Sequence, residues 1–401
     1  MKPESYFSKE IKPALENEPP GEWLPKIPDG CIRLSSGYPD RGLVPVDGVK
    51  EAVAELLDEE KDLPFHYIGS RKMEELSVFL QQLMNGCSVS VNDEEMLITS
   101  GACQAIDLIA RVLVDDETVV ALESPTYMEA LEIFQNYTKH FISVEVDEHG
   151  LRTDRLEEVL KDRRRNGETL PKVLYTIPSF QNPTGTTMTE ERRDHIIRLA
   201  EEYDFLIIED DAYGNVYFEK GMVPLKSRGG DRVLYVGSLS KVVAPGLRIG
   251  WIAARPEFIR ALSWFKKDLG HPFAQASVAA FLGMSDLDGH FASLRKVYKE
   301  KCRLMLSELK RELPSEVSWY VPEGGYFVWV RVPGVDTSGM LPAALSEGVS
   351  YVPGKYFFLD REEGIEYLRL SFSYASKQDI VEGVQRLGRV VEAAVGFEGG
   401  K

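Results

Sequence analysis

The sequence predicts an α/β protein in which a mostly parallel sheet, covered by helices, is followed by a second, smaller α/β unit. The first observation behind this is alternation. Helical and strand patterns succeed one another from about residue 48 to about residue 285, the order expected of strand-helix-strand units. The second is the look of the strands, at 95–99, 118–122, 173–176 and 205–208. They are short apolar runs closed by polar residues, as buried parallel strands are where their carboxyl ends open into a crevice. The third is a change of pattern beyond 290, where a long charged helix over 290–313 leads into strand-like runs at 326–330 and 368–372. The expected division is a large domain at 48–287 and a smaller C-terminal domain at 288–401, with 1–47 forming an N-terminal arm and part of the small domain. Pro3, Pro13, Pro19 and Pro20 suit an arm that packs on something else.

Composition narrows the function classes. A chain of 401 residues with 43% hydrophobic content can bury a large core. The net charge of −17 argues against a polyanionic partner, since a nucleic-acid binder needs a clustered basic face. The basic run at 161–168 sits beside Glu157, Glu158 and Asp162 and reads as a solvated helix end. Cys31, Cys87, Cys103 and Cys302 are scattered without metal-ligand or disulfide spacing, so no metal is expected and a reducing cytoplasm fits best. The first residues lack the apolar run of a signal peptide, and no stretch of about 18 apolar residues is present to span a bilayer.

The chemistry is concentrated where predicted strands end. Gly237-Ser238-Leu239-Ser240-Lys241 sets one lysine among hydroxyls, with Arg248 seven residues on. A lysine attacks an aldehyde only when unprotonated, so an imine-forming lysine needs desolvation or a nearby cation, and Arg248 can supply the charge. Arg248 can equally hold a phosphate bidentately, with Ser238 and Ser240 completing the donors. The segment reads as a pyridoxal phosphate (PLP) anchor, although a lysine in a polar loop satisfies the same pattern. Thr99-Ser100-Gly101-Ala102-Cys103 turns a strand into a helix predicted over 105–114. The amides of Gly101, Ala102 and Cys103 can cradle a phosphate there, or simply cap a turn. Tyr127 offers a stacking face or is a core tyrosine. Asn182 carries an amide in a turn. Asp210, in Glu209-Asp210-Asp211-Ala212-Tyr213, can pair with a protonated pyridine nitrogen or cap a helix.

The order and spacing of these segments resemble the class I/II aminotransferases of PLP fold type I, over about residues 35–373, and within them the branch that includes 2-aminoadipate, kynurenine and aromatic aminotransferases. The resemblance implies a large domain with a mostly parallel, seven-stranded sheet and a smaller C-terminal α/β domain. It implies Lys241 as the catalytic imine-forming lysine and general acid/base, and Asp210 as the partner of the pyridine nitrogen. Tyr213 and Asn182 become the pair on the ring hydroxyl and Tyr127 the stacking aromatic. Gly101, Ala102, Cys103, Ser238, Ser240 and Arg248 fall at the phosphate. Arg369, in LRLSFS, matches the clamp on the substrate α-carboxylate, helped by Asn182 and the backbone of Gly37. Tyr67 resembles the tyrosine lent by a second subunit, which implies a homodimer with shared sites.

The chain departs from the family pattern in several places. Ala102 stands where relatives carry Ser or Thr, and Ile68 and Lys72 replace glycines after Tyr67. The segment His271-Pro272-Phe273 offers no hydroxyl, and Phe273 with Tyr326 points to an apolar or aromatic side-chain pocket or to packing in a dimer interface. The implied reaction is ping-pong transfer of an amino group between an L-amino acid (aromatic, aliphatic or 2-aminoadipate-like) and a 2-oxo acid such as 2-oxoglutarate. Arg41 and Lys26 are candidates for a second carboxylate. Another PLP reaction, a β-lyase or decarboxylase, shares the cofactor residues. The effector body of a transcriptional regulator is the non-enzymatic alternative. Acidity weighs against it, as does a body that starts near residue 32.

Overall fold

The computed structural model describes residues 3–7, 11, 15, 26–268 and 270–398, so 18 of the first 25 residues, Pro13, Pro19 and Pro20 among them, lie outside the described residues. The strands are β1 (Ile32–Arg33), β2 (Met96–Thr99), β3 (Val119–Ser124), β4 (His140–Asp147), β5 (Gly150–Leu151), β6 (Val173–Thr176) and β7 (Leu206–Asp210). They continue with β8 (Val233–Ser238), β9 (Gly250–Ala253), β10 (Ser318–Trp319), β11 (Phe327–Arg331), β12 (Val349–Ser350), β13 (Val352–Pro353) and β14 (Tyr367–Ser371). The predicted strands all form, within one or two residues at each end.

The large sheet has the order β2-β9-β8-β7-β6-β3-β4-β5. Its centre, β8, β7, β6, β3 and β4, is parallel, while β9 runs against β8 and β2, and β5 against β4. The sheet therefore has eight strands where seven were expected. The extra one is the two-residue β5, made when the chain reverses after Asp147 and pairs back on β4. Gly150 permits the reversal: its φ is +85° and a Cβ there would meet the Met188 Cα at 2.7 Å. The central strands are buried on both faces, which is why they read as unbroken apolar runs.

Helices cover both faces of this sheet. The helix Ala102–Leu113 starts three residues earlier than its hydrophobic pattern suggested, directly after Gly101. The helix Thr153–Asn166 ends on Gly167 in the left-handed region, with Arg165 paired to Asp162 and Lys161 to Glu157, as a solvated helix end should be. The long charged helix spans Leu287–Glu312, with the Asp286 side chain accepting from the Gly289 amide at its start. It packs against the last helix, Lys377–Glu398. Beside these two helices lie a four-stranded antiparallel sheet, β10-β11-β14-β13, and the pair β1-β12, which brings residues 32–33 onto the C-terminal half.

This topology places one loop cluster at one edge of the large sheet. The carboxyl ends of β2, β3, β6, β7 and β8 all face the same way, so the segments that follow each of them meet there. Strand β14, carrying Arg369, closes the cluster from the other sheet.

Candidate active site

A cavity of about 520 Å³ opens at these strand ends, within the range of small-ligand pockets. Its lining brings together Gly37, Ala102, Cys103, Tyr127, Asn182 and Asp210, and with them Tyr213, Ser238, Ser240, Lys241, Arg248 and Arg369. Residues more than 300 positions apart thus meet at one place. Gly101 is in contact through its neighbour: its φ is +87°, and a Cβ on it would lie 2.7 Å from Arg248 Nη2. Only glycine lets the guanidinium approach that backbone.

Lys241 follows β8 and is half-buried. Its ammonium donates to the Gly37 carbonyl at 3.0 Å and lies 5.5 Å from the Tyr213 ring centroid. Burial first, and the Arg369 charge second, pull its pKa down to about 8. The sequence reading gave Arg248 that electrostatic role, and the structure gives it to Arg369. Arg248, in the left-handed region at φ +53°, instead donates to the Ser100 carbonyl at 2.8 Å and stands over the start of helix Ala102–Leu113. Ser240 and Ser238 are linked through their hydroxyls at 3.0 Å.

Asp210 is buried at the end of β7, accepting from the Tyr175 hydroxyl at 2.8 Å and from the Ala212 amide at 3.2 Å. Burial pushes its carboxyl up against those two donors. A carboxylate so placed is stabilised by a cationic N–H. Arg369 donates to Asn182 Oδ1 at 2.8 Å and to the Ser35 carbonyl at 3.2 Å, with Phe327 beneath the guanidinium at 4.1 Å. Its Nε is buried with no acceptor, and so is the Ser100 hydroxyl. An unpaired buried donor costs roughly 1–3 kcal/mol. Both orphans fit anions: a carboxylate at Arg369 and a phosphate at the helix start, where Gly101, Ala102 and Cys103 present their amides.

Other residues fix this geometry and were missed in the sequence. Arg193 is fully buried and donates to Met188 O, Pro178 O, Val223 O and Ser179 Oγ, tying down the loop that carries Asn182. Gln181 bridges Glu123 and the Pro125 carbonyl, and its own oxygen accepts from Thr184. Nothing in a helix that starts EERRDH separates Arg193 from its solvated neighbours. Glu129 also lines the cavity, accepting from the Tyr127 hydroxyl at 2.5 Å and the Cys103 thiol at 3.0 Å.

Four residues singled out in the sequence, Tyr67 among them as the one expected to serve a second subunit, lie outside the cavity lining of this chain. Tyr67 is 82% exposed and does not line the cavity of its own chain. Tyr326 is a core residue, its hydroxyl donating to the Lys241 carbonyl at 2.6 Å, and Phe327, its neighbour, forms the aromatic wall instead. Strand alternation decides this, since consecutive side chains face opposite sides. Phe273 stacks on Phe65 at 5.1 Å on the surface. Arg41 lies over Tyr374 in a neighbouring cavity, whereas Arg33 lines both that cavity and the site. Among the described residues no His, Cys, Asp and Glu cluster suits a metal, and no helix is long and apolar enough to cross a membrane.

Comparisons with known proteins agree with this geometry. The family model for aminotransferase class I and II matches residues 29–387. The chain is 37% identical to aromatic-amino-acid aminotransferase 1 of Thermococcus litoralis, over 90% of this chain and 88% of that protein. It is 36% identical to the 2-aminoadipate transaminase of Thermus thermophilus, over 90% of each. The crystal structure of a multiple substrate aminotransferase from Thermococcus profundus superposes with a TM-score of 0.91 at 35% identity, covering 99% of this chain and 100% of that one. With that coverage, and with strand-end loops that converge on a lysine and a buried aspartate and arginine, the chain belongs to the class I and II aminotransferases and is a PLP-dependent transaminase of fold type I.

Proposed function

We propose that this enzyme moves an amino group from an L-amino acid with an aromatic, aliphatic or 2-aminoadipate-like side chain to a 2-oxo acid such as 2-oxoglutarate. The relatives named for aromatic amino acids and for 2-aminoadipate support that substrate range. We assign Lys241 as the catalytic base. Ser238, Ser240, Arg248 and the amides of Gly101, Ala102 and Cys103 hold the phosphate. Asp210 would hold the pyridine nitrogen and Asn182 and Tyr213 the ring hydroxyl, with Tyr127 beside the ring. PLP, when bound, supplies an electron sink next to the substrate Cα.

The chain's own groups do the rest. Arg369, steadied by Asn182 and Ser35, takes the α-carboxylate and fixes which bond at Cα faces Lys241. Lys241, held to a pKa near 8, takes the proton from the substrate Cα onto Nζ and would give it back on the cofactor side of the amino nitrogen. The rings of Tyr213 and Tyr326, 5.5 and 5.7 Å from the ammonium, keep it poorly solvated. The observation that carries this reading is the buried Arg369, a guanidinium whose Nε has no acceptor, facing a lysine whose basicity it lowers.

A cytoplasmic homodimer is part of the proposal. Exposed Phe65, Tyr67, Ile68 and Phe273 support a subunit face that would carry Tyr67 to the partner's phosphate site. The domain boundary near residue 287 is proposed on the separation of the two sheets. An absorption spectrum from about 300 to 500 nm tests the activity. The visible band should shift to the pyridoxamine form with an amino acid and return with a 2-oxo acid. A bound chromophore that never cycles with any donor would mean a different PLP reaction.

A further inference from the structure

Among the described residues six charged side chains line the cavity, and the proposed chemistry uses four of them: Lys241, Asp210, Arg248 and Arg369. The other two are Glu129 and Arg33. Arg33 opens equally onto the neighbouring cavity, which it shares with Cys31, Asp40, Arg41 and Tyr374. Glu129 belongs to this site alone. It sits at the start of the helix Met128–Gln135, directly after Tyr127 and Met128, and the Tyr127 hydroxyl and the Cys103 thiol fix its carboxylate. Each of those bonds satisfies a protein donor, and neither neutralises the charge. The same charge reaches the far side of the cavity, where it raises the proton affinity of both Lys241 and Arg369.

We infer that Glu129 sets the charge preference of the side-chain end of the substrate pocket, favouring amino acids and 2-oxo acids whose distal group is neutral or cationic over those with a second carboxylate. This rests on the transaminase reading and ranks the substrates within it. An amino acid anchored by its α-carboxylate on Arg369, with its nitrogen toward Lys241, must run its side chain along what remains of the cavity. That remainder is largely apolar, formed by Ile27, Tyr38, Met128, Ile177 and Phe327, with Glu129 as its fixed anion. A distal carboxylate brought there meets like charge in a site of reduced dielectric, whereas an amine or hydroxyl finds an acceptor held in place.

The test compares three donors of equal length: norleucine, 2-aminoadipate and lysine. In Glu129→Gln the amide oxygen still accepts from Tyr127 while the charge is gone. The kcat/KM ratio of 2-aminoadipate to norleucine should rise roughly tenfold, and the ratio of lysine to norleucine should fall. Ratios cancel any general loss of activity. In parallel, calorimetric titration of the PLP-loaded protein with adipate and hexanoate reads binding without turnover, and the variant should gain affinity for adipate relative to hexanoate. Unchanged ratios in both experiments overturn the inference. So does a result in which Arg33→Gln, and not Glu129→Gln, alters the handling of 2-aminoadipate. Failure of norleucine to bleach the visible band would count against transamination itself, and the calorimetry would still decide the role of Glu129.

Discussion

Two lysines, Lys301 buried and Lys241 half-buried, flank one short loop and have opposite fates. Lys301, on the long helix, is ion-paired to Asp40 and donates to the carbonyls of Ser373 at 2.8 Å and Ala375 at 2.6 Å. Lys241 meets the loop three residues earlier, at the Gly37 carbonyl, and has that single acceptor. An ammonium carries three donors. Lys301 has all three accepted and one acceptor is anionic, so the charge is held and acts as a structural post between the loop, the long helix and the C-terminal half. In both cases burial lowers the pKa. For Lys301 the carboxylate of Asp40 opposes the fall, whereas for Lys241 the next charge is the Arg369 cation, which adds to it. What separates a reactive lysine from a structural one is the company it keeps, because desolvation lowers the pKa of both.

The comparison is broken most sharply by removing each amine in turn. Lys241→Ala should lower kcat by at least about ten-thousandfold, since nucleophile and base are lost together. Its urea midpoint should stay near that of the parent, because only one hydrogen bond goes. A variant that kept more than about one per cent of the activity would remove Lys241 from the chemistry. Lys301→Met should do the reverse. It strands Asp40 and two carbonyls, and the expected cost is about 2–3 kcal/mol, read as a lower urea midpoint at unchanged slope. The visible PLP band should survive it. A loss of the band with intact stability would mean that Lys301 serves the site and not the scaffold.

The same contrast explains what could be read in advance. Lys241 sits in a strand-end segment among serines with an arginine seven residues on, so local chemistry marked it. Asp210, Tyr213 and Asn182 were legible for the same reason, since parallel strands deliver their polar ends to one edge. Lys301 lies in a helix whose pattern is that of a charged surface. Its burial is decided by Asp40, far away in the chain, and by the carbonyls after β14. Glu129 was hidden differently, because an acid in the first turn of a helix is the ordinary complement to the helix dipole. The eighth strand escaped because β5 has two residues and no pattern of its own. Tyr326 was read as a pocket or interface candidate and Phe327 was passed over because adjacent residues have equal apolar character, and only the register of β11 on β14 says which faces the cavity.

The smallest expected effect concerns the source of the basicity of Lys241. Covalent capture of pyridoxal phosphate by the cofactor-free protein requires the neutral amine, so its rate should rise with pH and flatten above about 8. A group whose pKa is lowered in the folded protein loses its proton earlier than in a free chain, and the rise therefore lies well below the usual lysine range. The charged and titratable groups that face Lys241 are Arg369, which lowers its pKa, and Glu129, Cys103 and Asp210, which raise it. Replacing Arg369 with Gln should move the inflection up, and replacing Glu129 with Gln should move it down. Opposite shifts from two uncharged amides cannot come from a general loosening of the site, which would admit water and move both inflections toward the free-lysine value. If neither variant moves the inflection, burial alone sets the amine, and the contrast between the two lysines reduces to hydrogen-bond count.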